Sequence, residues 1–420
     1  MRKVAFYTLG CKVNSYDSSY MQSLFEQRGF MAVAFGNEAD IVVINTCTVT
    51  AVADKKSRAA IRRAARNGKV IVAGCMAQKS SAAILEMDGV DAVVGTDDRA
   101  RIVDIAEQLL GGQKNIDATH ELSGCGYEPM HINVPGEKTR GIIKIQEGCN
   151  CFCSYCIIPY VRGRSRSRAL GDILTEAEML AGAGVKELVL TGIHIASYND
   201  NGQGLGDVIL ALSELGPRIR LGSIEPGMLD EAFLVKAASA KNLCPHFHLS
   251  LQSGSATVLK RMNRPYTPED YASFVRSLRQ SFDAPAITTD VIAGFPAETE
   301  AEHEETLGFV ESIGFSRMHV FPYSPREGTI ANGMSPKVPK AVARRRAGEL
   351  IALGERLEKK YIESQLGRCA DVLLEEQSKQ FSGCLEGYSE RYIRIAAKAE
   401  KNELKSVCIK DMKGLTAYGE

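Results

Sequence analysis

The sequence predicts an α/β protein in three parts: an N-terminal parallel α/β domain, a central, partly closed barrel of six β/α units, and a small C-terminal β-barrel. β-rich runs alternate with helical stretches from Lys3 onward, the pattern of parallel sheets. A first series of three runs and a second of six imply two separate sheets. After Gly367 the period changes to short alternating runs, which predicts the third part. A 420-residue chain with 45% hydrophobic and 24% charged residues is large enough for several cores and falls among ordinary globular proteins.

The N-terminal domain, residues 1–115, rests on runs at Lys3–Leu9, Asp40–Asn45 and Lys69–Ala73. Each leads into a cysteine, in Gly10-Cys11, Thr46-Cys47 and Gly74-Cys75. Parallel sheets collect ligands outside the carboxyl ends of their strands, so three cysteines distant in sequence can meet there. The alternative is that they are buried as small apolar residues.

A polar stretch from Gly111 to Arg140 separates this domain from the next, placed at 135–365. Its strand candidates are Gly141–Gln146, Glu187–Thr191, Arg218–Ile224, His246–Leu251, Ala286–Ala293 and Arg317–Phe321. In such a barrel the functional groups belong on the loops after the strands. An amphipathic helix over Val338–Leu366 buttresses it. Runs at Ala370–Leu374, Arg391–Ala396 and Lys405–Ile409, set apart by Gly383, Gly387 and Gly414, suggest the closing barrel at 366–420.

The formal charge is zero, from 51 basic and 51 acidic residues, so contact with nucleic acid falls to local patches. These are Lys55, Lys56, Arg58, Arg62, Arg63 and Arg66, then Arg162, Arg164, Arg166 and Arg168, then Arg344 to Arg346. No leader pattern or membrane-length apolar run is present, which points to the cytoplasm and away from membranes. In that compartment twelve cysteines are expected as ligands or buried thiols rather than disulfides. Cys125, Cys244, Cys369, Cys384 and Cys408 are read as structural.

Cys149, Cys153 and Cys156 stand in a Cys-x3-Cys-x2-Cys loop directly after a strand. Three thiolates on one loop can hold three irons of a 4Fe–4S cluster and leave the fourth open. Zinc with Cys151 as a fourth ligand is the competing reading.

With Tyr155 as the aromatic residue before the last cysteine, the loop resembles the radical S-adenosylmethionine superfamily. The following Ile157-Ile158-Pro159-Tyr160-Val161-Arg162-Gly163-Arg164 narrows the likeness to the methylthiotransferases. The likeness extends across the chain, through Gly10-Cys11-Lys12-Val13-Asn14, Asn45-Thr46-Cys47, Gly74-Cys75, Leu190-Thr191-Gly192-Ile193-His194, Ser250-Leu251-Gln252-Ser253-Gly254 and His319-Val320-Phe321-Pro322-Tyr323-Ser324.

The resemblance implies two 4Fe–4S clusters. Cys149, Cys153 and Cys156 would hold the catalytic one, which binds S-adenosylmethionine and yields a 5′-deoxyadenosyl radical. Cys11, Cys47 and Cys75 would hold a second, which carries the sulfur to be transferred. The radical would remove hydrogen from C2 of a modified adenine at tRNA position 37, in the anticodon loop, and a flavodoxin or ferredoxin type of low-potential donor would supply electrons. Lys12-Val13 resembles the branch acting on N6-threonylcarbamoyladenosine. The alternatives are the branches for isopentenyladenosine or a ribosomal-protein aspartate and, from another class, a non-catalytic zinc or iron–sulfur RNA-binding protein.

Beside Tyr155, the residues expected to contact the cofactor are Thr191, Glu225, Gln252, Ser253 and Asp290 at strand ends, with Gly294–Glu298 resembling an adenine seat. Core or loop structure is the alternative for each. The Arg162–Arg168 series is expected to recognise phosphate or carboxylate. The C-terminal segment resembles a TRAM domain. Its nine basic and nine acidic residues from Gly367 onward argue against binding by charge alone. Tyr388, Arg391, Tyr392 and Arg394 are therefore expected to clamp an RNA loop.

Overall fold

The computed structural model describes residues 1–130, 132 and 139–420. It opens with a parallel sheet of β1 (Lys3–Thr8), β2 (Met31–Val33), β3 (Ile41–Thr46), β4 (Lys69–Gly74), β5 (Ala92–Val94) and β6 (Ile116–Ala118), in the order β2-β1-β3-β4-β5-β6. Its central strands are runs of Val, Ile and Ala because helices cover both faces. Helices Lys12–Gln27 and Ile102–Leu110 pack on one side, and helix Ala51–Ala64 on the other. β6 lies just beyond the boundary expected at 115. The expected start of the second domain at 135 lies outside the described residues.

The second unit contains β7 (Arg140–Glu147), β8 (Arg166–Ser167), β9 (Glu187–Gly192), the short hairpin β10 (Asn199–Asp200) and β11 (Gln203–Gly204), β12 (Arg218–Leu221), β13 (Ser223–Ile224), β14 (His246–Leu249), β15 (Ala286–Ala293) and β16 (Arg317–Pro322). The parallel pairs run β7-β9-β12 and β13-β14-β15-β16, a partial barrel of six positions in which β12 and β13 are the two pieces of one. The run expected as one strand over 218–224 breaks at Gly222, whose N–H bonds Leu190 O at 2.8 Å. A Cβ there would meet the same carbonyl at 2.9 Å, so glycine lets the chain pass from β9 to β14. Helix Lys340–Glu363, with Pro339 as its N-cap, covers β15 and β16.

The last unit is a closed barrel of β17 (Cys369–Gln377), β18 (Leu385–Ser389), β19 (Arg394–Ala397), β20 (Glu403–Lys413) and β21 (Thr416–Gly419). One expectation fails here: Cys369 and Cys408 are joined by a disulfide. They are direct partners in the β17–β20 register, and cross-strand pairing brings their side chains together across 39 residues of sequence. Among the described residues, no helix is long and apolar enough to cross a membrane.

Candidate catalytic centre

β1, β3 and β4 are neighbours in the sheet, so Cys11, Cys47 and Cys75 emerge side by side at their carboxyl ends. Gly10 has φ +113°, and a Cβ on it would come within 2.9 Å of Cys47 Cβ. Glycine therefore gives both the turn and the clearance that close the trio. Cys47 and Cys75 are buried, and Cys11 is exposed. Burial raises Cys47 to about 11, with the neighbouring Cys75 and Cys11 adding to the rise.

The other trio follows β7. Gly148, at φ +71°, turns the chain, and a Cβ there would collide with Arg164 O at 1.9 Å. The loop is fastened to that segment by the Cys149 N–H to Gly163 O at 3.1 Å and the Ser165 N–H to Asn150 Oδ1 at 3.2 Å. The Cys151 thiol and backbone N–H donate to Cys149 and lower it to about 6, while burial raises Cys156 to about 12. Loading metal on such thiols releases protons.

A buried arginine serves each trio. Arg162 Nε donates to Cys75 Sγ at 3.2 Å, and Arg264 Nη1 donates to Cys153 Sγ at 3.1 Å. Donors and positive charge at sulfur suit thiolates carrying an anionic cluster. The donor sets therefore fit iron–sulfur ligation. Cys149, Cys151 and His194 also bring ligand atoms within 4.8 Å of one another, close enough to share a single ion.

The trios are linked through the helix Ile158–Arg162, which starts two residues past Cys156. Ile157 and Val161 pack against Cys75. Arg162 also reaches Asn14 Oδ1 at 2.5 Å, Asp17 at 2.8 Å and Glu147 at 3.0 Å. Asp17 and Glu147 are shared with Arg99 and Lys144, and Arg99 pairs with Glu128. Three cations thus balance three carboxylates in a buried network between the first two units. Burial alone would raise Asp17 and Glu147, but these cations hold Asp17 well below the usual range and Glu147 at about 2.

The remaining expected residues occupy the barrel as follows. Thr191 is buried at the end of β9. Glu225 Oε2 lies 3.3 Å from His194 and 3.2 Å from Arg264, and its buried Oε1 has no partner among the described residues. Gln252, at φ +70°, bridges to β15 through its own N–H to Asp290 O and its O to the Ile292 N–H, both at 2.8 Å. The Ser253 hydroxyl is engaged by Thr306 and the Ser255 N–H, both at 3.2 Å. Asp290 lies 3.3 Å from His248. Tyr155 meets Phe295 edge-on, their centroids 6.5 Å apart, which ties the Cys149–Cys156 loop to the Gly294–Glu298 segment.

Two expectations change. Of the four arginines in the 162–168 series, Arg162, Arg166 and Arg168 are buried; Arg168 is bound to Glu176 and Tyr16, and only Arg164 is exposed. Helix Lys12–Gln27 covers the two end positions, Asp17 reaching Arg162 and Tyr16 reaching Arg168, so these arginines are spent inside the protein. Likewise Tyr388 and Tyr392, both half-buried, are taken up by a stack against the larger barrel instead of standing open as an RNA clamp. They stack on each other at 4.4 Å, and Tyr392 stacks on His246 at 4.6 Å beneath the larger barrel. Arg218 and Arg220 join this docking through Glu187 and the carbonyls of Asp371, Tyr388, Ser389 and Glu390. Arg391 is held by Ala284, Asp283 and Glu390. Sequence reasoning missed Arg264, since an Arg within Asn263-Arg264-Pro265 carries no spacing signal, and it gave no role to Asp17 or Glu147.

Residues 3–95 match the family described as uncharacterized protein family UPF0004, and residues 143–310 match the radical SAM superfamily. The threonylcarbamoyladenosine tRNA methylthiotransferase MtaB of Bacillus subtilis is 40% identical over 100% of this chain and 96% of its own. Its namesake from Aquifex aeolicus is 37% identical over 90% and 94%. The tRNA-2-methylthio-N(6)-dimethylallyladenosine synthase of Oceanobacillus iheyensis is 33% identical over 96% and 80%. In fold, the radical S-adenosylmethionine methyltransferase TsrM of Kitasatospora setae, solved with cobalamin and a [4Fe-4S] cluster, superposes with a TM-score of 0.57 at 16% identity, covering 77% of this chain and 76% of that one. With these two family models matched and relatives 37–40% identical over 90–100% of its length, the chain belongs to the radical S-adenosylmethionine tRNA methylthiotransferases, enzymes that depend on an iron–sulfur cluster and S-adenosylmethionine.

Proposed function

We propose that the chain places a methylthio group on C2 of N6-threonylcarbamoyladenosine at position 37 of tRNA. The observation that carries this reading is the coupling of two cysteine trios through one short helix, with Arg162 donating to Cys75 six residues past Cys156. A single radical cluster would need only one trio. The threonylcarbamoyl branch is favoured over the isopentenyl branch because relatives bearing its name are 34–40% identical, against 33% for the other.

In this reading Cys149, Cys153 and Cys156 hold one 4Fe–4S cluster, and Cys11, Cys47 and Cys75 hold a second. Together with S-adenosylmethionine these groups supply hydrogen abstraction, sulfur and methyl. The protein's own residues orient and shield. Arg264 and Arg162 stabilise thiolate charge on their trios. Glu225, fixed by His194 and Arg264, keeps Oε1 free to accept from an amine or hydroxyl of the cofactor, with Thr191, Gln252, Ser253, Asp290 and Tyr155 as further contacts. The packed network around Arg162 excludes water between the trios. We place the enzyme in the cytoplasm with a flavodoxin or ferredoxin type of donor, divided into units at 1–115, 135–365 and a TRAM-like 366–420.

Nucleoside mass analysis of tRNA from a deletion strain tests the substrate. Loss of 2-methylthio-N6-threonylcarbamoyladenosine with accumulation of its unthiolated precursor is expected. An unchanged level of the methylthio nucleoside would sink the assignment.

A further inference from the structure

We propose that Arg164, Phe152 and Tyr160 form a stacking platform for an unpaired base of the anticodon loop, beside the nucleotide being modified; this rests on the tRNA reading above. The Arg164 guanidinium lies 4.5 Å from the Phe152 ring centroid. Phe152 in turn meets Tyr160 edge-to-face at 5.8 Å and 85°. Tyr160 is 51% exposed, and Arg164 is exposed with no carboxylate partner among the described residues. An Arg over an aromatic ring with a second ring exposed beside it is the surface on which splayed bases stack.

The platform is built into the cluster loop. Phe152 lies between Cys151 and Cys153 at φ +46°, a conformation costly for a side chain of its size. Asn263 Nδ2 fixes it there by donating to Cys151 O at 3.3 Å and Phe152 O at 3.1 Å. Arg164 is held from below by the bonds that fasten its segment to the loop. A base seated on these rings would therefore be positioned against the cluster loop itself.

Charge favours RNA as the occupant. Lys55 and Lys56 are exposed and without carboxylate partners among the described residues, on the helix that follows Cys47. The neutral C-terminal barrel has its half-buried Tyr388 and Tyr392 stacked against the larger barrel.

The test measures binding of a labelled anticodon stem-loop bearing N6-threonylcarbamoyladenosine to the reconstituted full-length enzyme. Stacking of one base is worth roughly a 5- to 150-fold change in Kd, so Tyr160→Ala should weaken binding within that range while iron content stays at the wild-type level. Tyr160→Phe should stay within about threefold, and Arg164→Lys should weaken binding although the charge is kept, because lysine does not stack as a plane. Wild-type Kd in both Tyr160→Ala and Arg164→Lys overturns the platform. So does unchanged Kd with a rate loss seen only with a protein reductant and not with dithionite, which would assign the patch to the electron donor. If the wild-type enzyme itself fails to bind the stem-loop, the substrate assignment falls and the platform with it.

Discussion

Cys149, Cys153 and Cys156 lie within one loop after one strand, whereas Cys11, Cys47 and Cys75 come from three strands and meet only because β1, β3 and β4 are adjacent. Each trio has a buried arginine on one sulfur, yet the two arginines are embedded differently. Arg264 is held within the barrel by Glu225, Tyr266 and Ser250 O. Arg162 is held across a boundary, between Asn14 and Asp17 of the first unit and Glu147 of the second. The Cys149 trio is thus a property of one loop, while the Cys11 trio depends on how two domains meet. Removing single residues should separate the two.

The largest effect is expected from Cys11→Ala. Turnover to the methylthio nucleoside should vanish and iron should fall by one cluster, while S-adenosylmethionine cleavage on reduction persists. Cys153→Ala should abolish both. Iron and sulfide counts with 5′-deoxyadenosine assays check this, and an unchanged iron count in Cys11→Ala would remove the second cluster from the N-terminal site.

Next in size is Arg162→Met. It leaves Asp17 and Glu147 with one cation fewer in a buried site, where losing one partner typically costs about 3–5 kcal/mol. Urea denaturation should show a loss of that order, and wild-type stability would contradict the domain lock. Arg264→Met should be milder for stability, since Glu225 also has His194.

The third effect is acid loosening of the C-terminal barrel. Burial would raise Glu187, but Arg220 and Arg218 hold it at about 2, below its ordinary value of 4.5. A depressed carboxyl gives stability that is present above its unfolded pKa and lost as pH falls toward the folded one. Undocking should therefore grow between about pH 4.5 and 2, read as faster proteolysis near Gly367. Glu187→Gln should flatten that dependence.

The strands of the larger barrel were legible from their periodicity: Ala286–Ala293 is found as expected, and Glu187–Thr191 gains only Gly192. Strand-tip position pointed to the distant trio. Illegible were features made by approach of remote segments: the covering of Arg162 and Arg168 by helix Lys12–Gln27, the stack of Tyr388 and Tyr392 against His246, and the Cys369–Cys408 bond. Short strands such as Met31–Val33 and Ala92–Val94 were missed because three residues give no period to read.

The smallest effect is expected at Cys151, and it separates spacing from ligation within the loop itself. Cys151 Sγ lies 3.9 Å from His194 Nε2, so Cys149, Cys151 and His194 can compete for one divalent ion. Its backbone N–H, 3.4 Å from Cys149 Sγ, is kept when the side chain is removed. Cys151→Ala should therefore keep the backbone donor to Cys149 while deleting the thiol donor and the competing ligand. Iron content should be unchanged, turnover should stay within about twofold, and zinc retained after purification should fall. A loss of one cluster's iron would instead make Cys151 a ligand, and the open iron that S-adenosylmethionine needs would have to be found elsewhere.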